Sequence, residues 1–154
     1  MKIVPSGTVL WAVLLLPSCT LPSSNQNATL VIRGGTSFGF CAGYCTTELH
    51  LNADSIVLVE SSRNPDTHPD RRYQERMRPD EWQRLVQLVD VAAFSRLEPV
   101  YGCPDCADGG AEWIEVEQGE QRNRVTFEYN ATLDPIAALA EEMRQIRSRL
   151  KPTE

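Results

Sequence analysis

Four cysteines in two tight groups constrain this chain more than any other feature. Cys41 and Cys45 sit in Phe40-Cys41-Ala42-Gly43-Tyr44-Cys45, and Cys103 and Cys106 in Gly102-Cys103-Pro104-Asp105-Cys106-Ala107-Asp108-Gly109-Gly110. Four thiols allow three pairings, and spacing alone does not choose among them. The second group is a CxxC. A redox-active CxxC needs a helix N-terminus to stabilise its thiolate. Here Ala107-Asp108-Gly109-Gly110 and an extended segment follow instead, and Asp105 and Asp108 disfavour a thiolate by like-charge repulsion.

The first eighteen residues read as a targeting segment and not as fold. Met1-Lys2 supplies a positive start, and Val9 to Leu16 is apolar but short for a bilayer span. The run ends in Leu16-Pro17-Ser18-Cys19, which resembles the lipobox of bacterial lipoproteins. That resemblance implies cleavage before Cys19, lipidation of Cys19, and a membrane partner reached through the N-terminal lipid. Thr20 after the cysteine resembles the outer-membrane sorting case, so the expected location is the cell envelope, on the outer membrane facing the periplasm. Residues 19–27 then form a polar tether, and residues 28–151 a single globular domain. Export makes disulfides the default for Cys41, Cys45, Cys103 and Cys106. Cys103-Pro104-Asp105-Cys106 also resembles the knuckle of rubredoxin and zinc-ribbon sites, which implies an alternative: the same four cysteines as a tetrahedral zinc-type site. A thiol–disulfide active domain is a third reading.

The pattern of the domain is mixed. Ala28 to Ile32 is a short β-prone run that Gly34-Gly35 ends. Thr46 to Leu51 alternates, Asn52-Ala53-Asp54 turns, and Ser55 to Glu60 returns as a strand. Residues 61–78 lack apolar periodicity and read as a long exposed loop rich in arginine. Pro79-Asp80-Glu81 starts a helix whose stripe is Trp82, Leu85, Val86, Val89, Ala92 and Ala93, ending by Pro99. Residues 111–129 read as a second hairpin turning at Gly119-Glu120. Asp134-Pro135 opens a second helix with Ile136, Leu139, Ala140, Met143, Ile146 and Leu150 on its apolar face, and Arg144, Arg147, Arg149 and Lys151 near its negative end. The fold class expected is α+β: an antiparallel sheet of about five strands with two amphipathic helices packed on one face.

Net charge is −6, which argues against a nucleic-acid partner. From Gly102 to Glu120 the chain holds acids and no base. Asp105, Asp108, Glu112 and Glu115 are the candidate partner-binding residues of this strip, which reads either as a solvated face or as a docking surface for a basic envelope protein. Their spacing does not match a calcium loop. His50 and His68 have no motif-level nucleophile or carboxylate beside them, so no catalytic residue is assigned and no cofactor is expected.

A lipobox, a CxxxC opening a hairpin and a C-terminal amphipathic helix together resemble small uncharacterised bacterial lipoproteins. The resemblance implies a location and no activity. The function expected is therefore that of a lipid-anchored envelope protein, a non-catalytic binding or accessory module braced by disulfides.

Overall fold

The computed structural model describes residues 29–151; the signal-like segment, Cys19 and the whole tether lie outside the described residues. Strands β1 (Leu30–Ser37), β2 (Tyr44–Leu51), β3 (Ser55–Ser62) and β4 (Arg71–Arg76) run as an antiparallel meander. Helices α1 (Pro79–Gln87) and α2 (Val91–Phe94) follow, then the hairpin of β5 (Ala111–Gln118) and β6 (Gln121–Glu128), then α3 (Ala137–Leu150). The hairpin adds to the free side of β1, giving one six-stranded sheet in the order β4-β3-β2-β1-β5-β6. The α+β class and the antiparallel sheet match the expectation, with one strand more than expected.

Strand alternation builds a single core. Ile32 and Gly34 of β1 stand between Leu51 and Leu49 of β2 and Val116 and Ile114 of β5. Ile56 and Leu58 extend this face on one side, and Val125 and Phe127 on the other. All of these but the glycine join one buried cluster with Leu85, Phe94 and the apolar stripe of α3. Burying a large aliphatic side chain stabilises by about 1.5–3 kcal/mol each, so this shared face dominates the fold. The α3 stripe predicted from spacing, Ile136 through Leu150, is buried at every position.

Three expectations need correction. Gly34-Gly35 does not end β1, which continues to Ser37. The glycines are there because their neighbours leave no room for a side chain. A Cβ on Gly34 would meet the Met143 methyl of α3, and one on Gly35 would meet the Thr47 carbonyl and lie 2.7 Å from Trp113 Nε1. Glycine in a strand therefore marks close approach here and not a terminus. Secondly, residues 61–78 are not all loop, since Arg71–Arg76 forms edge strand β4. Its charged, largely exposed side chains hide it from any apolar periodicity, and charge is a usual property of edge strands. Thirdly, the long helix is broken. α1 stops at Gln87, and Asp90 caps α2 by accepting from the Ala93 N–H at 2.9 Å. Phe94 of α2 is buried, whereas Val86 of the expected stripe is exposed.

Gly35→Ala is expected to cost about 1–3 kcal/mol through overpacking against Trp113 and the Thr47 carbonyl. The check is urea denaturation, with a lower midpoint at unchanged slope.

Candidate functional site

Antiparallel alternation places the β1–β2 turn, the β3–β4 loop, the approach to β5 and the exit from β6 at one end of the sheet. Both cysteine groups are at this end. Cys41 pairs with Cys45 and Cys103 with Cys106, each with Cα atoms 5.5 Å apart, so the pairing is local in both loops. The disulfides do not tie one loop to the other. Asp105 does. Its Oδ1 accepts from the Gly39 N–H at 3.0 Å and from the Gly110 N–H at 3.2 Å. A Cβ on Gly39 would lie 2.5 Å from Asp105 Oδ2, so a side chain there would have to displace the carboxylate.

The Cys103–Gly110 loop is unusual in its backbone. Asp105, Ala107 and Asp108 adopt φ values of 61°, 52° and 59°. The left-handed region is costly for a residue with a Cβ and persists only where the surroundings impose it. Several contacts do so: the Cys103 N–H donates to Glu128 Oε1 at 3.0 Å, Asp105 N–H donates to the Gly110 carbonyl at 3.0 Å, and the Cys103–Cys106 bridge closes the turn. Residues Cys106–Asp108 form one short turn with left-handed backbone at Ala107 and Asp108, so no α-helix N-terminus faces Cys103.

Aromatic side chains complete the loop end. Phe38 packs edge-on against Tyr129 at 4.9 Å between ring centres and covers Gly110. The Tyr44 hydroxyl donates to the Pro69 carbonyl at 2.9 Å, the Arg71 guanidinium lies 4.3 Å over the Tyr44 ring, and His68 meets the same ring edge-on. Arg63 donates to the Phe38 carbonyl at 3.2 Å. Phe40, one residue before Cys41, is 85% exposed. The sequence showed this loop as rich in glycine and aromatics. It gave no sign that Arg63, His68 and Arg71 would join it, because those contacts come from a loop more than twenty residues away.

The acidic candidates separate. Asp105 is taken up by backbone N–H groups, as described, and Asp108 is exposed. Glu112 is buried beneath α3, with Arg144 Nη2 at 2.8 Å from Oε2, Arg147 Nη2 at 2.9 Å from Oε1, and the Asn130 N–H at 3.3 Å. Glu115 is buried on the opposite face, where Arg33, Arg122 and Arg124 contact it at 3.1, 2.9 and 3.0 Å. Arg124 also lies 3.9 Å over the Trp113 ring, which rests on Gly35. Glu112 and Glu115 therefore belong neither to a solvated face nor to a docking surface. The reason is that a strip lacking bases in sequence receives its arginines from β1, β6 and α3. Burial pushes the Glu115 carboxyl up, but hydrogen bonds from Arg122 and Arg124 outweigh it and hold the group below its ordinary 4.5.

His50 sits near Glu48, with 3.4 Å between Nε2 and Oε2, and His68 Nδ1 lies 2.9 Å from the hydroxyl of its exposed chain neighbour Thr67. Among the described residues no group of three or more His, Cys, Asp or Glu converges as a metal site. Compared with protein-family models and with curated proteins, the chain gives no match. What the loop end offers chemically is a stiffened surface: an exposed aromatic next to one disulfide, hydrogen-bonded through Asp105 to a second disulfide loop.

Two outcomes follow from these contacts. Asp105→Ala should raise amide hydrogen exchange at Gly39 and Gly110 while leaving exchange in β2 and β5 unchanged; equal protection in both proteins would show that Asp105 does not join the loops. Glu115 has a depressed value, so its stabilising contribution is present above the ordinary glutamate range and is lost as pH falls through the folded value. Glu115→Gln should accordingly lower the urea midpoint at neutral pH, and the difference from the native chain should shrink below pH 4.5.

Proposed function

We propose that this protein is lipid-anchored through Cys19 in a bacterial envelope, on the outer membrane facing the periplasm, and serves there as a non-catalytic binding module. The observation that carries the reading is the loop end, where Phe40 is 85% exposed on a segment braced by the Cys41–Cys45 bridge and by the Asp105 link. An aromatic held on a stiffened loop loses little conformational entropy when a partner covers it, which is how preorganised surfaces gain affinity. Aromatic anchors of this kind often carry much of the binding energy of an interface.

The direction of the chain supports the same reading. β1 begins at Leu30, the end of the strand opposite the loop end. Eight strand residues span about 26 Å, so Phe40 and both disulfides stand a full strand length from the start of β1. The partner is an envelope protein that docks on this loop end. Of the four acidic candidates only Asp108 is left exposed to meet a basic group on it, since Glu112 and Glu115 are consumed within the fold.

Two measurements separate the parts of the proposal. Cys19→Ala should abolish metabolic labelling with a fatty acid and release the protein from the membrane fraction; undiminished labelling refutes the anchor. With the anchor intact, a photo-crosslinking residue at position 40 should yield a discrete adduct in living cells. An anchored protein that gives none removes the binding reading.

A further inference from the structure

The sheet has a second unpartnered feature, far from Phe40 in the strand order: the outer edge of β4. The Met77 N–H donates to the Asp54 carbonyl at 3.1 Å, continuing the β3–β4 ladder. Antiparallel alternation then directs the N–H and C=O groups of Arg71, Tyr73 and Glu75 toward β3, and those of Arg72, Gln74 and Arg76 away from the sheet. These three residues are exposed, and among the described residues no helix or strand pairs with them. The other edge differs: β6 is partly covered by residues 99–101, with Tyr101 donating to the Thr126 carbonyl and the Thr126 N–H to that of Pro99, both at 2.9 Å.

Charge is distributed unevenly along this edge. Most arginines of the chain are engaged with carboxylates, carbonyls or rings, including Arg33, Arg78, Arg122, Arg124, Arg144 and Arg147. Arg72 and Arg76 make no hydrogen bond or ion pair among the described residues. They lie on the same face of β4, opposite Val59 and Ser55, about 13 Å apart. At the C-terminal end of the strand Arg76 also lines a cavity of about 240 Å³ with Glu75, Arg78, Glu81 and Arg149, whose two carboxylates are already held by Arg78 and Arg149.

We infer that the β4 edge is a docking site for an extended acidic segment of a partner protein, which adds to the sheet as a seventh strand. Main-chain bonds to Arg72, Gln74 and Arg76 supply the pairing, and carboxylates four residues apart on the incoming strand pair with Arg72 and Arg76. The arginine pair favours an acidic strand over a second copy of this chain in the centred register. Antiparallel pairing of two β4 edges centred on Gln74 sets Arg72 opposite Arg76 twice, and like charges directly opposite are destabilising. Docking here involves neither Phe40 nor the disulfides, so it goes beyond the loop-end reading and stands or falls separately from it.

The test uses the purified full chain and a fluorescent peptide of alternating threonine and valine carrying two glutamates four residues apart. The peptide should bind by anisotropy and slow amide exchange at Arg72, Gln74 and Arg76. Joint Arg72→Glu and Arg76→Glu substitution should weaken binding by about tenfold or more, with the circular dichroism spectrum unchanged. A peptide N-methylated on the amides that face β4 should not bind. If the N-methylated peptide binds as well as the parent, the attraction is that of any polyanion for exposed arginines, and strand addition is overturned. Failure of the parent peptide to bind, or binding with no slowed exchange on β4, overturns it equally.

Discussion

A carboxylate with only 2% of its surface exposed needs cations to stay charged, and Glu112 is met by two. Arg144 and Arg147 both come from α3, on the same helical face that buries Met143 and Ile146. Apolar burial supplies the adhesion between helix and sheet, but it is non-directional. The ion pairs have direction, because withdrawing either partner would strand a charge in the interior at a cost of about 3–5 kcal/mol. The same helix continues the pattern toward its end. Arg149 reaches Glu81 of α1 at 2.8 Å and Glu75 of β4 at 3.3 Å, and Lys151 reaches Glu60 of β3 at 2.8 Å. The basic end of α3 thus registers the helix against β5, β3, β4 and α1 together, across almost the whole width of the sheet.

The opposite face of the sheet has its own buried carboxylate. Glu115 gathers Arg33 from β1 and Arg122 and Arg124 from β6, so three strands are joined by one side chain. Trp113 lies beside this cluster on Gly35, under the Arg124 guanidinium. Gly35 and Glu115 therefore belong to one arrangement: the glycine admits the indole, and the indole carries an arginine that also holds the carboxylate. Among the described residues no buried side-chain nitrogen or oxygen lacks a partner, which is the condition for charges this deep to persist.

Against this frame the disulfides play a smaller part than their number suggests. Each closes a loop of only a few residues, where the entropic gain over the unfolded chain is least. Their effect is local stiffness at the loop end, and the link between the two loops falls to Asp105. The CxxC stretch is a natural place for thiol chemistry. Its geometry assigns it a different role, that of a constrained turn which offers a carboxylate to a neighbouring loop and helps to present Phe40.

Much of the architecture was legible from residue order. Alternation at Thr46–Leu51 and Ser55–Glu60, the hairpin about Gly119-Glu120 and the complete apolar stripe of α3 are signals carried by near neighbours, which strand and helix periods translate directly into faces. Strand β4 was not legible, since an edge strand has solvent on one side and needs no apolar alternation. Nor were the fates of Glu112 and Glu115, because their arginines are up to 82 positions distant in the chain. The linear order of residues was enough to define the class of fold, the core stripe and the cysteine-bearing turns, each a property of spacing over a few residues. Folding alone assigned the partners: which thiols pair, which acids are neutralised, and which arginines are left facing solvent. Those depend on Coulomb and hydrogen-bond contacts that act through space, and space between distant segments is defined only once the sheet has closed around β1.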